Sequence, residues 1–145
     1  MATTLVLDTN IVLDVFVFAD GAAGPLQAAL EDRSLHWLAT PPMRMELERV
    51  LGYPQIASRL LGRRLAPQQI LDGFDRHVRM VEVPAKARYT CKDADDQKFI
   101  DLAVAHRGLL LSKDAAVLSM KKRLATLQVD VSRELPASSY RLSGN

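Results

Sequence analysis

The run Thr3-Thr4-Leu5-Val6-Leu7 is apolar and β-branched, stops on Asp8, and passes through Thr9-Asn10 straight into a second apolar segment, Ile11 to Phe18. It reads as a buried strand followed at once by a helix, with Asp8 or Thr9 near the helix cap. In an open α/β sheet, ligands gather in the crevice beyond the carboxyl ends of the strands. A strand that stops on a carboxylate puts an acid where chemistry is usually done, so Asp8 is the centre from which a site is built.

The rest of the chain keeps alternating between strand-like and helix-like pieces. Asp20-Gly21 through Gly24-Pro25 is turn chemistry, and Pro25 opens a helix to about Glu31. Leu35 to Ala39 is a short strand. Thr40 caps a helix that tolerates Pro41 and Pro42 in its first turn, with Met43, Leu47, Val50 and Leu51 as its apolar stripe, and Gly52-Tyr53-Pro54 ends it. Two helices are expected over Gln55 to Arg64 and Gln68 to His77, then a strand from Met80 to Val83 and a loop from Pro84 to Lys92. Asp93-Ala94-Asp95-Asp96 opens a helix, Gln97 to His106, that stops at Gly108. Leu109 to Ser112 is a buried strand ending at Lys113-Asp114, followed by a helix from Ala115 to Leu124 and a last strand near Val129 to Val131. This pattern predicts one α/β domain with a mostly parallel sheet of about five strands, over residues 1–136, and a polar C-terminal tail over 137–145.

Composition excludes several classes. The 145 residues are 48% hydrophobic and 25% charged, enough for a core without disulfides or a structural metal. Cys91 is the single cysteine, and the start Met-Ala-Thr-Thr lacks the basic end and apolar core of a signal peptide. No apolar run approaches the roughly 20 residues that span a bilayer, so a cytoplasmic protein with no membrane partner is expected. The net charge of +2 permits a nucleic-acid partner without demanding one.

Four acids stand out by position. Asp8 and Asp114 each follow an apolar strand. Asp96 lies three and four residues before Phe99 and Ile100, in line with the buried stripe of its helix, whereas Asp101 points elsewhere. Glu46 lies three after Met43 and four before Val50 and flanks the apolar face, whereas Glu48 is on the far side. Taken singly each has a plain reading: Asp8 and Asp93 as helix caps, Asp96 as completing a capping box, Glu46 as a surface residue, Asp114 as a turn residue. Taken together, two strand ends and two inward-facing helix positions deliver carboxylates to one edge of the sheet.

Clustered carboxylates repel and take up protons unless something positive compensates them. Mg²⁺ or Mn²⁺ does so with carboxylates, waters and substrate phosphate oxygens, and such a site activates water for in-line displacement at phosphorus. His36, His77 and His106 show no zinc spacing and Cys91 has no cysteine partner. A Gly-x-Ser-x-Gly elbow, a Walker loop and Gly-x-Gly-x-x-Gly are all missing. Metal-dependent phosphodiester hydrolysis fits what remains.

The series Leu5-Val6-Leu7-Asp8-Thr9-Asn10, Glu46-Leu47-Glu48-Arg49-Val50-Leu51, Asp93 through Ala103, and Leu111-Ser112-Lys113-Asp114 resembles the PIN-domain family of metal-dependent ribonucleases. Within that family the chain is most similar to the bacterial branch of toxins from toxin-antitoxin pairs. The resemblance spans nearly the whole chain in the family's order. It implies a three-layer α/β/α sandwich, a Mg²⁺ or Mn²⁺ site, and cleavage of single-stranded RNA. Carried over by position, Asp8, Glu46, Asp96 and Asp114 match the acidic quartet, as metal ligands and catalytic residues, with Asn10 and Ser112 as hydrogen-bonding neighbours. Asp8 and Asp96 would hold the principal ion. Ala94 stands where this branch often has proline, and Ser112-Lys113-Asp114 where Thr-Gly-Asp or Thr-Arg-Asp is common; neither departure removes a carboxylate.

Arg49, Lys98, Lys113 and the arginines between Arg59 and Arg79 are candidates for RNA backbone contact. Phe18, Trp37 and Tyr53 have the chemistry to stack on bases, but their positions favour core packing. A toxin implies an antitoxin protein, and homodimers are common among relatives. Two alternatives stand beside the nuclease: a non-catalytic PIN-like module that binds RNA or protein, and an aspartyl phosphotransfer enzyme using Asp8. The second usually needs another acid two residues on, where this chain has Asn10.

Overall fold

A computed structural model describes residues 3–18 and 23–136. The expected turn at Asp20-Gly21 and the tail over 137–145 lie outside the described residues. Five strands, β1 (Thr3–Leu7), β2 (Leu35–Ala39), β3 (Arg79–Met80), β4 (Leu109–Leu111) and β5 (Asp130–Ser132), form one sheet in the order β3-β2-β1-β4-β5. Every pairing is parallel. The helices are α1 (Thr9–Phe16), α2 (Gly24–Glu31), α3 (Pro41–Leu51), α4 (Pro54–Gly62), α5 (Pro67–His77), α6 (Gln97–His106), α7 (Ala115–Leu118) and α8 (Lys121–Ala125), with a 3-10 turn at Ala94–Asp96 leading into α6. The alternating pattern predicts this α/β domain with its parallel sheet, and the resemblance implies the sandwich. Among the described residues no helix is long and apolar enough to cross a membrane.

Burial explains the pattern. A parallel sheet covered on both faces needs strands that are apolar throughout, and Leu5, Val6, Leu110 and Leu111 are fully buried. On one side Trp37 stacks on Phe16 and meets Phe74 edge-on at 5.1 Å between centroids. The chain lays down β1, β2 and β3 outward in one direction, then crosses to place β4 on the other side of β1. The order reverses between β1 and β4, and the crevice for a ligand opens beyond their carboxyl ends.

Two elements differ from the sequence expectation. β3 is Arg79–Met80 rather than Met80 to Val83, because its partner runs out: Arg79 and Met80 pair with Leu38 and Ala39, after which Thr40 turns into α3. The helix expected from Ala115 to Leu124 is two helices. Ser119 Oγ donates to the Ala116 carbonyl, a local bond that competes with the helical ladder at the break. α6 ends at His106, before Gly108 as expected, and the left-handed residue there is Arg107, with φ 51°. Gly108 is required for space, since a Cβ there would lie 3.0 Å from the Thr4 carbonyl oxygen of the neighbouring β1.

The long connection from β3 to α6 is pinned by the first turns of α6. Asp101 accepts from the Ala87 N–H at 2.8 Å, and Gln97 accepts from the Cys91 N–H and donates to the Tyr89 carbonyl. Asp101, which points away from the acids in sequence, has this structural task.

Candidate active site

Asp8 closes β1 and opens α1. Its N–H donates to the Leu111 carbonyl at 3.0 Å, tying it to β4, and its own carbonyl accepts the first helical N–H groups from Ile11 and Val12. Its carboxylate does not cap α1. It accepts from Ser112 Oγ at 2.6 Å instead, and the same Ser112 oxygen accepts from the Asp114 N–H at 3.0 Å. Ser112 is fully buried, so one hydroxyl joins the ends of the two strands at the switch point. Asn10 is exposed, and what reaches Asp8 is its main-chain N–H, which favours the charged carboxylate without closing a capping hydrogen bond.

Asp96 stands at the start of α6 and makes no capping bond. It is 8% exposed, and its Oδ2 has no hydrogen-bond partner. Desolvation, followed by the negative charges of Asp8, Asp114 and Asp93 and a hydrogen bond with Asp114, pushes its carboxyl up to about 7. Burial also raises Asp8, with Asp114 and Glu46 adding to the rise and the Ser112 hydrogen bond and the nearby Asn10 N–H opposing it. The two most buried acids of the site therefore do none of the capping assigned to them by the plain reading.

Asp93 and Asp114 do cap, each with one oxygen: Asp93 accepts from the Asp95 N–H at 2.9 Å and Asp114 from the Ala116 N–H at 2.8 Å. Carboxylate oxygens of Asp93, Asp96 and Asp114 all lie within 4.8 Å of one another. Glu46 reaches the same edge from α3 and is held by the Thr9 hydroxyl on one oxygen and by Lys98 Nζ at 2.9 Å on the other. Lys98 also donates to the Asp95 carbonyl. Of the four acids expected from position, Asp96 and Asp114 lie in this set with Asp93, whereas Asp8 is joined to Asp114 through Ser112 and Glu46 stands near Asp8 as a neighbouring charge.

Sequence reasoning missed Asp93 as a site residue, along with Thr9 and the pairing of Lys98 with Glu46. The acid-rich run Asp93-Ala94-Asp95-Asp96 was the available signal, masked by the capping role that Asp93 also performs. Of the basic candidates, Lys98 lies inside the cluster. Lys113 is committed to Asp14 at 2.5 Å, and Arg49 is exposed on α3. Trp37 is core and Phe18 is half-buried under Arg59, whereas Tyr53 is 48% exposed, contrary to the packing expected of it.

The donor set can be tested against a metal. It offers only hard carboxylate oxygens, one of them buried and unsatisfied, and burying an unpaired charge is costly. Lys98 neutralises Glu46 but leaves Asp96 Oδ2 without a partner. Cys91 lies beside the cluster, but burial and the nearby Asp96, Asp93 and Asp114 charges push its thiol up, so it stays protonated. These residues fit Mg²⁺ or Mn²⁺.

Comparison with known proteins agrees. The family profile described as PIN domain matches residues 4–116. No curated protein matches the chain. Among solved structures, the chain is similar to VapBC2 from Rickettsia felis, bound there to a DNA fragment from their promoter. The TM-score is 0.58 at 15% identity, over 88% of this chain and 98% of that one, which is a likeness of fold. With the profile spanning most of the sequence and the acids converging at the switch point, this chain belongs to the PIN-domain family.

Proposed function

We propose that this chain is a Mg²⁺- or Mn²⁺-dependent endoribonuclease that cuts single-stranded RNA and serves as the toxin of a toxin-antitoxin pair. The observation that carries the catalytic part is Asp96: a buried carboxylate with an unpartnered oxygen, among other acids, at the crevice where an α/β sheet binds its ligand. The fold likeness to VapBC2 supports the partner, an antitoxin protein.

In this reading Asp96, Asp114, Asp93 and Asp8 hold the ion, and Glu46 completes the site. When bound, the ion supplies charge stabilisation at phosphorus and acidifies water. The chain's own residues provide the preorganisation. Ser112 fixes the Asp8 carboxylate against rotation, and Thr9 with Lys98 fixes Glu46. Lys98 brings a positive charge to the edge of the cluster, where it contacts a non-bridging oxygen of the substrate phosphate and offsets the charge that develops there. Asp8 is 4% exposed and its carboxylate is engaged by Ser112. That disfavours the phosphotransfer alternative, which needs a free nucleophile.

The test is cleavage of labelled single-stranded RNA by the purified chain in Mg²⁺, Mn²⁺ or EDTA, beside folded Asp8→Asn and Asp96→Asn variants. Cleavage dependent on metal and lost in both variants is expected. The same trace activity in wild type and variants would leave a binding module as the account.

A further inference from the structure

A cavity of about 230 Å³ lies along the outer edge of β2, lined by Arg33, His36, Trp37, His77 and Arg79 above an apolar floor. It is remote from the acids. Leu35 is level with Thr3 at the start of β1, and Asp8 is five residues further on, about 16 Å of strand. β3 pairs only with Leu38 and Ala39, so it leaves this part of the β2 edge uncovered.

The cavity has cationic residues and no acid in its lining. Among the described residues no carboxylate pairs with Arg33 or Arg79. The adjacent Asp32 is turned back on its own turn, accepting from the Ser34 N–H at 2.9 Å. Arg33 Nη2 makes only a long 3.4 Å contact with the Arg76 carbonyl at the end of α5. His77 donates from Nδ1 to the Gly73 carbonyl at 2.7 Å, which leaves Nε2 for another partner.

Cations at this place have a structural use, because α2 and α5 both end here. Each helix C-terminus carries about −0.5 of a charge, so the two amount to about −1. Arg33 and Arg79 supply +2, which offsets the helix ends and the neighbouring Asp32, and the lining itself holds only cationic and neutral side chains. The volume falls below the roughly 300–1,000 Å³ of sites for drug-sized ligands, which suits a small anionic group. A guanidinium presents paired N–H donors that match phosphate geometry.

We propose that this cavity is a phosphate-binding site, separate from the acid edge, that takes a phosphate group between Arg33 and Arg79 with His36 as a further donor. The phosphate belongs either to an RNA backbone or to a free anion. The site does not depend on the nuclease reading, and its test is run in EDTA so that nothing is cut.

Trp37 is the only tryptophan of the chain and lines the cavity, so its fluorescence reports occupancy. The full chain is titrated with inorganic phosphate, with chloride at matched ionic strength, and with a short single-stranded oligouridylate. Phosphate and the oligonucleotide should give saturable changes that chloride does not. Replacing both exposed arginines, Arg33→Gln with Arg79→Gln, should weaken them by about tenfold or more. Lys121→Gln with Lys122→Gln, which removes the same charge from exposed positions on α8, should leave them within about twofold. Saturation by the oligonucleotide about tenfold below phosphate identifies the RNA backbone as the ligand; saturation of both at similar concentrations identifies the free anion. A response absent for both, or lost equally in the lysine pair, overturns the site.

Discussion

Two acids of this molecule are held in opposite ways. Asp75, on α5, receives both arms of the Arg44 guanidinium at 2.7 and 2.8 Å, and that hydrogen bond and charge hold its carboxyl below the usual range. Asp96 is buried, has an oxygen with no partner, and is pushed up to about 7. The first acid is neutralised from within the chain, and its task is complete on folding. The second is surrounded by its own sign of charge, an arrangement that a stable fold has no need of and that a bound cation resolves. In the proposed reading the acid edge is kept for a ligand, whereas the Arg44–Asp75 pair serves structure.

Substitutions should separate these two roles. The largest effect is expected on activity: Asp8→Asn or Asp96→Asn should lower RNA cleavage by about 10²–10³-fold, the size of losing a preorganised charge-stabilising group, read as initial rates with equally folded variants. Ser112→Ala comes next. It leaves the Asp8 carboxylate and the Asp114 N–H without their shared hydroxyl, so a stability loss of about 1–3 kcal/mol is expected in urea titration.

Asp96→Asn should have the opposite sign in the metal-free protein. A carboxyl raised from 3.8 to about 7 binds more protons folded than unfolded between those values, so its contribution to stability falls as pH rises through that window. Removing the charge should therefore stabilise the metal-free protein by about 1–2 kcal/mol at pH 8, discounted for solvent screening at the cleft, and by almost nothing near pH 4. Saturating Mg²⁺ should erase or reverse the gain. Arg44→Ala is expected to be the smallest change, about 0.5 kcal/mol, because both partners of that pair are partly solvated. A larger effect there than at Ser112 would break the contrast.

The sheet and the acids were legible in the sequence for a common physical reason. Strands buried on both faces must be continuously apolar, so Leu5-Val6-Leu7 and Leu109-Leu110-Leu111 announce themselves, and the acids that end them stand out against that background. Asp96 was found from its three- and four-residue spacing to Phe99 and Ile100. Roles set by contacts between distant segments were not legible. That Lys98 faces Glu46, 52 positions away, follows from how α3 and α6 meet the sheet and leaves no local trace. Asp93 was obscured because it performs an ordinary cap as well as standing within 4.8 Å of Asp96 and Asp114. The cavity beside Arg33 and Arg79 likewise arises from where α5 ends, because β3 begins only at Arg79, level with Leu38, and leaves the earlier part of β2 uncovered.

The central claim is that the acid edge is a divalent-cation site whose proton on Asp96 gives way to the ion. Calorimetric titration of the metal-free chain with Mn²⁺ at pH 7, in buffers of different ionisation enthalpy, counts the protons released on binding. With its carboxyl pushed up to about 7, Asp96 is partly protonated there, so the wild type should release more protons on binding than Asp96→Asn, and the variant should bind Mn²⁺ more weakly. Equal affinity and equal proton release in the two proteins would contradict the account.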